Sequence, residues 1–223
     1  MPAITRMKIQ EKSIEVRRTA RYCVNEVHVP PASVIYVIHG YAQLARNFIR
    51  DLEFLDDGKT LIVAPEGLSR SYFREKVGAS WMTKEDRSNE IHDYVNYLED
   101  LNRSISEKFE TRSAEHNVLG FSQGVHTAVR WFINSSQRFN RLLLCSSDFP
   151  KDTDFDRLRK KLDHSELYLI HGTGDNIVHM KVLENNMIML DENNIPFRTI
   201  HFDGKHEINS EAVLSALKEN PSG

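Results

Sequence analysis

Gly120-Phe121-Ser122-Gln123-Gly124 is the stretch on which the fold turns. It fits G-x-S-x-G, the pattern of a serine held on a sharp turn between a strand and a helix. The flanks agree. His116-Asn117-Val118-Leu119 reads as a short strand, and Val125, Ala128, Val129, Phe132 and Ile133 recur at helical spacing. In so tight a turn, side chains two positions either side of the serine would collide with neighbouring backbone, and glycine has no Cβ to collide. A serine that merely caps a helix explains less of the pattern.

Outward from this unit, the chain alternates strands and helices. Ser33–Ile38 and Thr60–Ala64 are continuous β-rich runs, as expected of strands buried on both faces. Between them Leu44, Phe48, Leu52 and Leu55 mark one side of a helix. Ile91, Val95, Leu98, Leu101 and Ile105 form the apolar stripe of a long helix with a solvated charged face. Strands then follow at 141–145, 167–170 and 197–202, with helices at 180–190 and about 209–218. Alternating patches in 7–29, such as Ser13-Ile14-Glu15-Val16, predict one or two antiparallel edge strands. Residues 66–84 read as an irregular loop rich in aromatics and arginines. The expectation is an α/β chain, residues 1–223 as a single domain, with a mostly parallel central sheet, helices on both faces and no large lid.

Composition narrows the function classes. The 223 residues are 27% charged, with a net charge of −3, so no basic face is implied and no nucleic-acid partner is expected. Cys23 and Cys145 have no C-x-x-C or metal-like spacing. His201 and His206 lack a third ligand at suitable spacing, so no metal is expected. No apolar run reaches bilayer length, so integral membrane association is not expected either. The start has no apolar leader-like segment, and a cytoplasmic setting is the expectation.

In a parallel sheet, ligands bind beyond the carboxyl ends of the strands. Three chemistry-bearing residues follow strands there: Ser122, then Asp175 in His171-Gly172-Thr173-Gly174-Asp175, then His206 in Asp203-Gly204-Lys205-His206. Their order, Ser, Asp, His, is that of the α/β-hydrolase arrangement. A serine hydroxyl needs an adjacent base. An imidazole can take that proton and return it to a leaving group. A carboxylate on the far ring nitrogen fixes the tautomer. Asp148, after the preceding strand, is a rival for the acid. Gly172 and Gly174 favour Asp175 by freeing its loop to turn inward. His39 and His171 read as loop-bonding histidines, His126 as turned away from Ser122 by its helix, and His201 as facing the sheet environment. The backbone N–H groups of Gln123 and Tyr41 are the candidate oxyanion-hole donors. Tyr72, Phe73 and Trp81 are candidates to line a substrate pocket, or to anchor their loop to the core.

With these residues assembled, the chain resembles the phospholipase/carboxylesterase family of small α/β-hydrolases, which includes the acyl-protein thioesterases. The resemblance rests on His39-Gly40, Ala64-Pro65, Gly120-Phe121-Ser122-Gln123-Gly124, Gly172-x-x-Asp175-x-x-Val178 and Gly204-x-His206, from about Val34 onward. It implies hydrolysis of carboxylic esters or thioesters, with a small-molecule or acyl-chain substrate and no cofactor. The chain departs from the family at His39-Gly40-Tyr41-Ala42-Gln43, where members usually read His-Gly-x-Gly-Asp, and at Val125, where a second Gly is usual. The segment from Ser71 to Trp81 looks like that of uncharacterised bacterial relatives. A peptidase on the same fold and a non-catalytic binding protein remain as alternatives, and the sequence leaves the oligomeric state open.

Overall fold

Alternate residues along each central strand point to opposite sides, and this chain makes both sides apolar. In the computed structural model, which describes residues 8–218, that pattern produces a seven-stranded sheet with two cores. The strands are β1 (Tyr22–Val24), β2 (Ser33–Ile38), β3 (Thr60–Pro65), β6 (Glu115–Phe121), β7 (Arg141–Cys145), β8 (Glu166–Gly172) and β9 (Arg198–Phe202). Their spatial order is β1-β3-β2-β6-β7-β8-β9, all parallel except β1, which runs antiparallel along β3. Val34, Tyr36 and Ile38 of β2 join one core with Leu142, Leu144, Leu167 and Leu169. Ile35 and Val37 join the other with Leu143, Cys145, Tyr168 and Ile170.

The first core is closed by α2 (Arg87–Phe109), α3 (Gln123–Asn134), α4 (Phe155–Leu162) and α5 (Met180–Glu192), the second by α1 (Ala45–Phe48) and α6 (Ser210–Lys218). On α2 the inner face is Tyr94, Leu98, Leu101 and Ile105, all buried, whereas Ile91 and Val95 lie at its margin. The Tyr36 hydroxyl, otherwise stranded in this core, donates to Asn102 Oδ1 at 2.8 Å. No helix among the described residues is long and apolar enough to cross a membrane.

Three expectations need correction, and one helix carried no expectation. The antiparallel edge strand is Tyr22–Val24 alone; Ile9, Ile14 and Val16 are exposed and unpaired, and Met7 lies outside the described residues. Alternation there marks no buried face, because no described strand pairs with it. The helix expected through Leu55 is α1, followed by a 3₁₀ stretch at Arg50–Leu55 that kinks at Leu52 (φ −114°, ψ 17°). Residues 66–84 are not irregular: β4 (Ser69–Phe73) and β5 (Lys76–Ser80) form an antiparallel hairpin. Its strands show no clean apolar alternation, since β4 is largely solvent-facing, and so gave no periodic signal. Helix α4, capped by Asp154 Oδ1 on the Arg157 N–H at 3.0 Å, also went unread. It buries only Leu158 and Leu162.

The order of strands fixes where a site can form. The chain leaves β2 for β3 on one side and continues from β6 to β7, β8 and β9 on the other. The crevice at the carboxyl ends of β2 and β6 is therefore the topological switch point. Ile38 and Gly120 are register partners there, so the residues after them emerge side by side.

Candidate active site

Ser122 leaves β6 and precedes the first turn of α3 with φ 52° and ψ −124°. This conformation is strained for a residue with a side chain and recurs at functional turns. Close packing explains the flanking glycine. A Cβ on Gly124 would lie 2.1 Å from the Ile38 carbonyl oxygen, so α3 can approach β2 only with glycine there.

The three strand-end residues meet. His206 Nε2 is 3.0 Å from Ser122 Oγ, and His206 Nδ1 is 2.8 Å from Asp175 Oδ2. A carboxylate only accepts, so Nδ1 carries the proton and Nε2 is left to accept from the serine hydroxyl. The other Asp175 oxygen, Oδ1, accepts the N–H groups of Ile177 and Val178, each at 2.8 Å. The Asp175 side chain is fully buried and that of His206 is 13% exposed. Burial pushes the Asp175 carboxyl up, but the hydrogen bonds from Val178, His206 and Ile177 outweigh it and hold the group below its usual range.

Gly172 and Gly174 do not serve through left-handed backbone; Gly58 is the positive-φ glycine among the described residues. Gly172 matters for proximity. A Cβ there would sit 2.4 Å from the Lys205 carbonyl oxygen, so it lets the loop bearing Asp175 touch the loop bearing His206.

Asp148 faces elsewhere. Its Oδ1 is 2.9 Å from His126 Nε2, and that hydrogen bond is the main reason its carboxyl is held low. His126 thus has a partner in the loop after β7. His39 is buried between two backbone groups. The Gly67 N–H donates to Nε2 at 3.0 Å, which leaves Nδ1 to donate to the Gly40 carbonyl at 2.7 Å. Burial pushes this imidazole below its usual range. His171 is also buried, which pushes its imidazole below the usual range against the opposing pull of the Asp175 carboxylate, and its Nε2 has no hydrogen-bond partner among the described residues. His201 is exposed on edge strand β9 rather than sheltered by the sheet.

Tyr41 follows β2 and Gln123 opens α3. Neither backbone N–H has an acceptor among the described residues. The neighbouring Gly40 N–H is taken up by Gln43 Oε1 at 2.7 Å, so in this loop Tyr41 is the donor left over. Ala42, where the family usually has glycine, sits at φ 62°.

The three aromatic candidates separate. Trp81 is 2% exposed, lies tilted against the His39 ring at 5.0 Å and donates from its indole to the His39 carbonyl at 2.9 Å. It is a buried anchor for the end of the hairpin. Phe73 packs edge-on to the Tyr41 ring at 4.9 Å, and Tyr72 is 77% exposed on the hairpin. Arg70 is bonded to Glu66 at 3.0 Å.

Sequence reasoning missed Glu66. At the end of β3, this carboxylate accepts from Arg21, Arg70 and the Ala45 N–H, tying β1, β4 and α1 together. An acid directly after Ala64-Pro65, beside a lone Arg70, was the available signal.

The chain's fold is shared with known proteins. No curated protein sequence matches. Among solved structures, acyl-protein thioesterase 2 from Zea mays superposes with a TM-score of 0.69 at 18% identity, covering 90% of this chain and 97% of that one. A carboxylesterase from Mesorhizobium loti gives 0.69 at 13% identity, over 89% and 94%. The Bacillus cereus carboxylesterase gives 0.65 at 11%, over 88% and 91%. At such identities the structures share the fold. The phospholipase/carboxylesterase model matches residues 21–219, nearly the whole chain, and this protein therefore belongs to the phospholipase/carboxylesterase family of α/β-hydrolases.

Proposed function

We propose that this protein is a serine hydrolase that cleaves carboxylic esters or thioesters through an acyl-enzyme on Ser122. The observation that carries the reading is the continuous hydrogen-bonded line from Ser122 Oγ through His206 to Asp175, at 3.0 and 2.8 Å. In the first half-reaction, Oγ attacks the substrate carbonyl carbon and His206 Nε2 takes the hydroxyl proton. The oxygen that becomes negative is met by the N–H groups of Tyr41 and Gln123. The imidazolium then protonates the departing oxygen or sulfur as its bond to carbon breaks. In the second half-reaction, water gives a proton to His206 and attacks the acyl carbon; the imidazolium then returns a proton to Oγ as the acyl–Oγ bond breaks, which frees the acid and restores Ser122 and neutral His206. Asp175 stays ionised throughout and holds the imidazolium, in keeping with its lowered pKa.

Family membership and thioesterase and carboxylesterase neighbours support an ester or thioester bond as the target. The test is a panel of aryl esters and acyl thioesters of increasing chain length, with wild type and Ser122→Ala side by side. The variant should lose at least about a thousandfold in kcat with its thermal unfolding unchanged. Retention of most of the activity would exclude Ser122 as the nucleophile.

A further inference from the structure

An oxyanion hole assembled from two loops works only if the loops keep their spacing, since catalysis is sensitive to displacements of about an ångström. Pairing of Ile38 with Gly120 fixes the roots of the two loops, but Tyr41 lies three residues beyond that pair. Its outer support is the hairpin. The Ala42 N–H donates to the Ala79 carbonyl at 2.9 Å, and the Ala79 N–H donates back to the Gln43 carbonyl at 3.1 Å. The contact is so close that a Cβ on Gly78 would lie 2.4 Å from the Ala42 carbonyl oxygen. Phe73, on the other hairpin strand, packs on the Tyr41 ring.

The residues that follow Ala79 are held from the opposite side by one side chain. Gln123 Oε1 accepts the Trp81 N–H at 3.2 Å, while Gln123 Nε2 donates to the Met82 carbonyl at 3.0 Å and to Ser80 Oγ at 3.0 Å. The tip must accept one hydrogen bond and donate two, the pattern that a carboxamide oxygen and its NH₂ group supply. Asparagine, one methylene shorter, would not span the same gap.

Resting on the reading of Tyr41 and Gln123 as oxyanion donors, we infer that the Gln123 carboxamide is a positioning residue: it clamps the end of β5 and thereby sets the Tyr41 N–H relative to Gln123's own N–H. One residue thus supplies one donor through its backbone and places the other through its side chain. The carboxamide is spent on Ser80, Trp81 and Met82 and acts on the reaction only through them.

Gln123→Ala keeps its own backbone N–H but releases the hairpin. Removing a whole oxyanion donor costs about a hundred- to a thousandfold, so a loosened one should cost about ten- to a hundredfold in kcat. KM should stay within about threefold, because the hole acts on the transition state. Phosphonylation of Ser122 by an alkyl fluorophosphonate should slow in parallel. Gly78→Ala, which pushes on Ala42 from the same hairpin, should give a similar loss, and the double variant should lose clearly less than the product of the two. Ser80→Ala is the gentler probe should either variant fold poorly, with an expected loss of several-fold in kcat at unchanged KM. Wild-type kcat and phosphonylation in Gln123→Ala would overturn the inference, as would fully multiplicative losses or a rise in KM that accounts for the whole effect. Ser122→Ala run alongside separates the two levels. If it stays active the hydrolase reading fails; if it is dead while Gln123→Ala is unimpaired, only the clamp fails.

Discussion

Asp175 uses its two oxygens differently. One accepts from His206 and the other from the N–H groups of Ile177 and Val178, so the carboxylate is aimed by its own loop before it aims the imidazole. Asp175→Asn would place a donor where an acceptor is required and favour the wrong histidine tautomer. The expected loss is about a thousand- to ten-thousandfold in kcat. Asp148→Asn should cost less than about tenfold, because Asp148 is bonded to His126 and not to His206. Thermal unfolding of both variants should be measured alongside, and a crippled Asp148→Asn with a mild Asp175→Asn would move the acid to the loop after β7. Residue type and strand-end position in the sequence were enough to single out Ser122, His206 and Asp175. They could not decide side-chain direction. Trp81 turned out to face the core and His201 solvent, because those choices depend on which neighbouring element arrives, not on local pattern.

At the scale of elements, the approach of α3 to β2 is what brings Ser122 beside the loop of Tyr41. Gly124 sits at that crossing. Gly124→Ala places a methyl 2.1 Å from the Ile38 carbonyl oxygen, backbone that cannot give way without parting the two elements. We expect a loss of about 3 kcal/mol in unfolding free energy, together with reduced activity. Urea unfolding checks it, and a midpoint equal to wild type would show that the crossing has slack. The central strands were legible because runs such as Ser33–Ile38 and Arg141–Cys145 are apolar on both faces, which few alternatives explain. The hairpin was not legible. Its stability comes from long-range ties, Gln123 on Ser80 and Met82 and Gln43 on Ala79, that leave no periodic trace in 66–84. The alternation at 13–16 misled for the opposite reason, being a strand-like pattern with no sheet edge beside it.

Across the whole molecule, stability at low pH hangs on a few carboxylates tied to arginines and backbone N–H groups. Burial alone would raise Asp152, but Arg130, with bonds at 3.2 and 2.7 Å, and Arg87 at 2.8 Å outweigh it and hold the group far below its usual range. Glu66 and Glu99 are held low in the same sense, by Arg21 and Arg70 and by Ser135 and Ser136. A carboxyl with a depressed folded-state pKa adds stability that is fully present above its unfolded value, near 4, and is lost as pH falls through the folded value. Burial also lowers the His39, His116 and His171 imidazoles, which costs stability as pH falls below their unfolded value of about 6.5, so the melting temperature should begin to decline there and drop more steeply below about pH 4. Asp152→Asn should lower it at neutral pH and make the acid limb shallower; an unchanged limb would remove Asp152 from the account. The loops after β2, β6, β8 and β9 together give the protein its proposed chemistry, and that claim has a direct test. Wild type treated with an alkyl fluorophosphonate should gain one phosphonyl group, and peptide mapping by mass spectrometry should locate it on Ser122, with His206→Ala labelled far more slowly and Ser122→Ala not at all. A label on another residue, or labelling of Ser122→Ala at the wild-type rate, would contradict the assignment of Ser122 as the nucleophile.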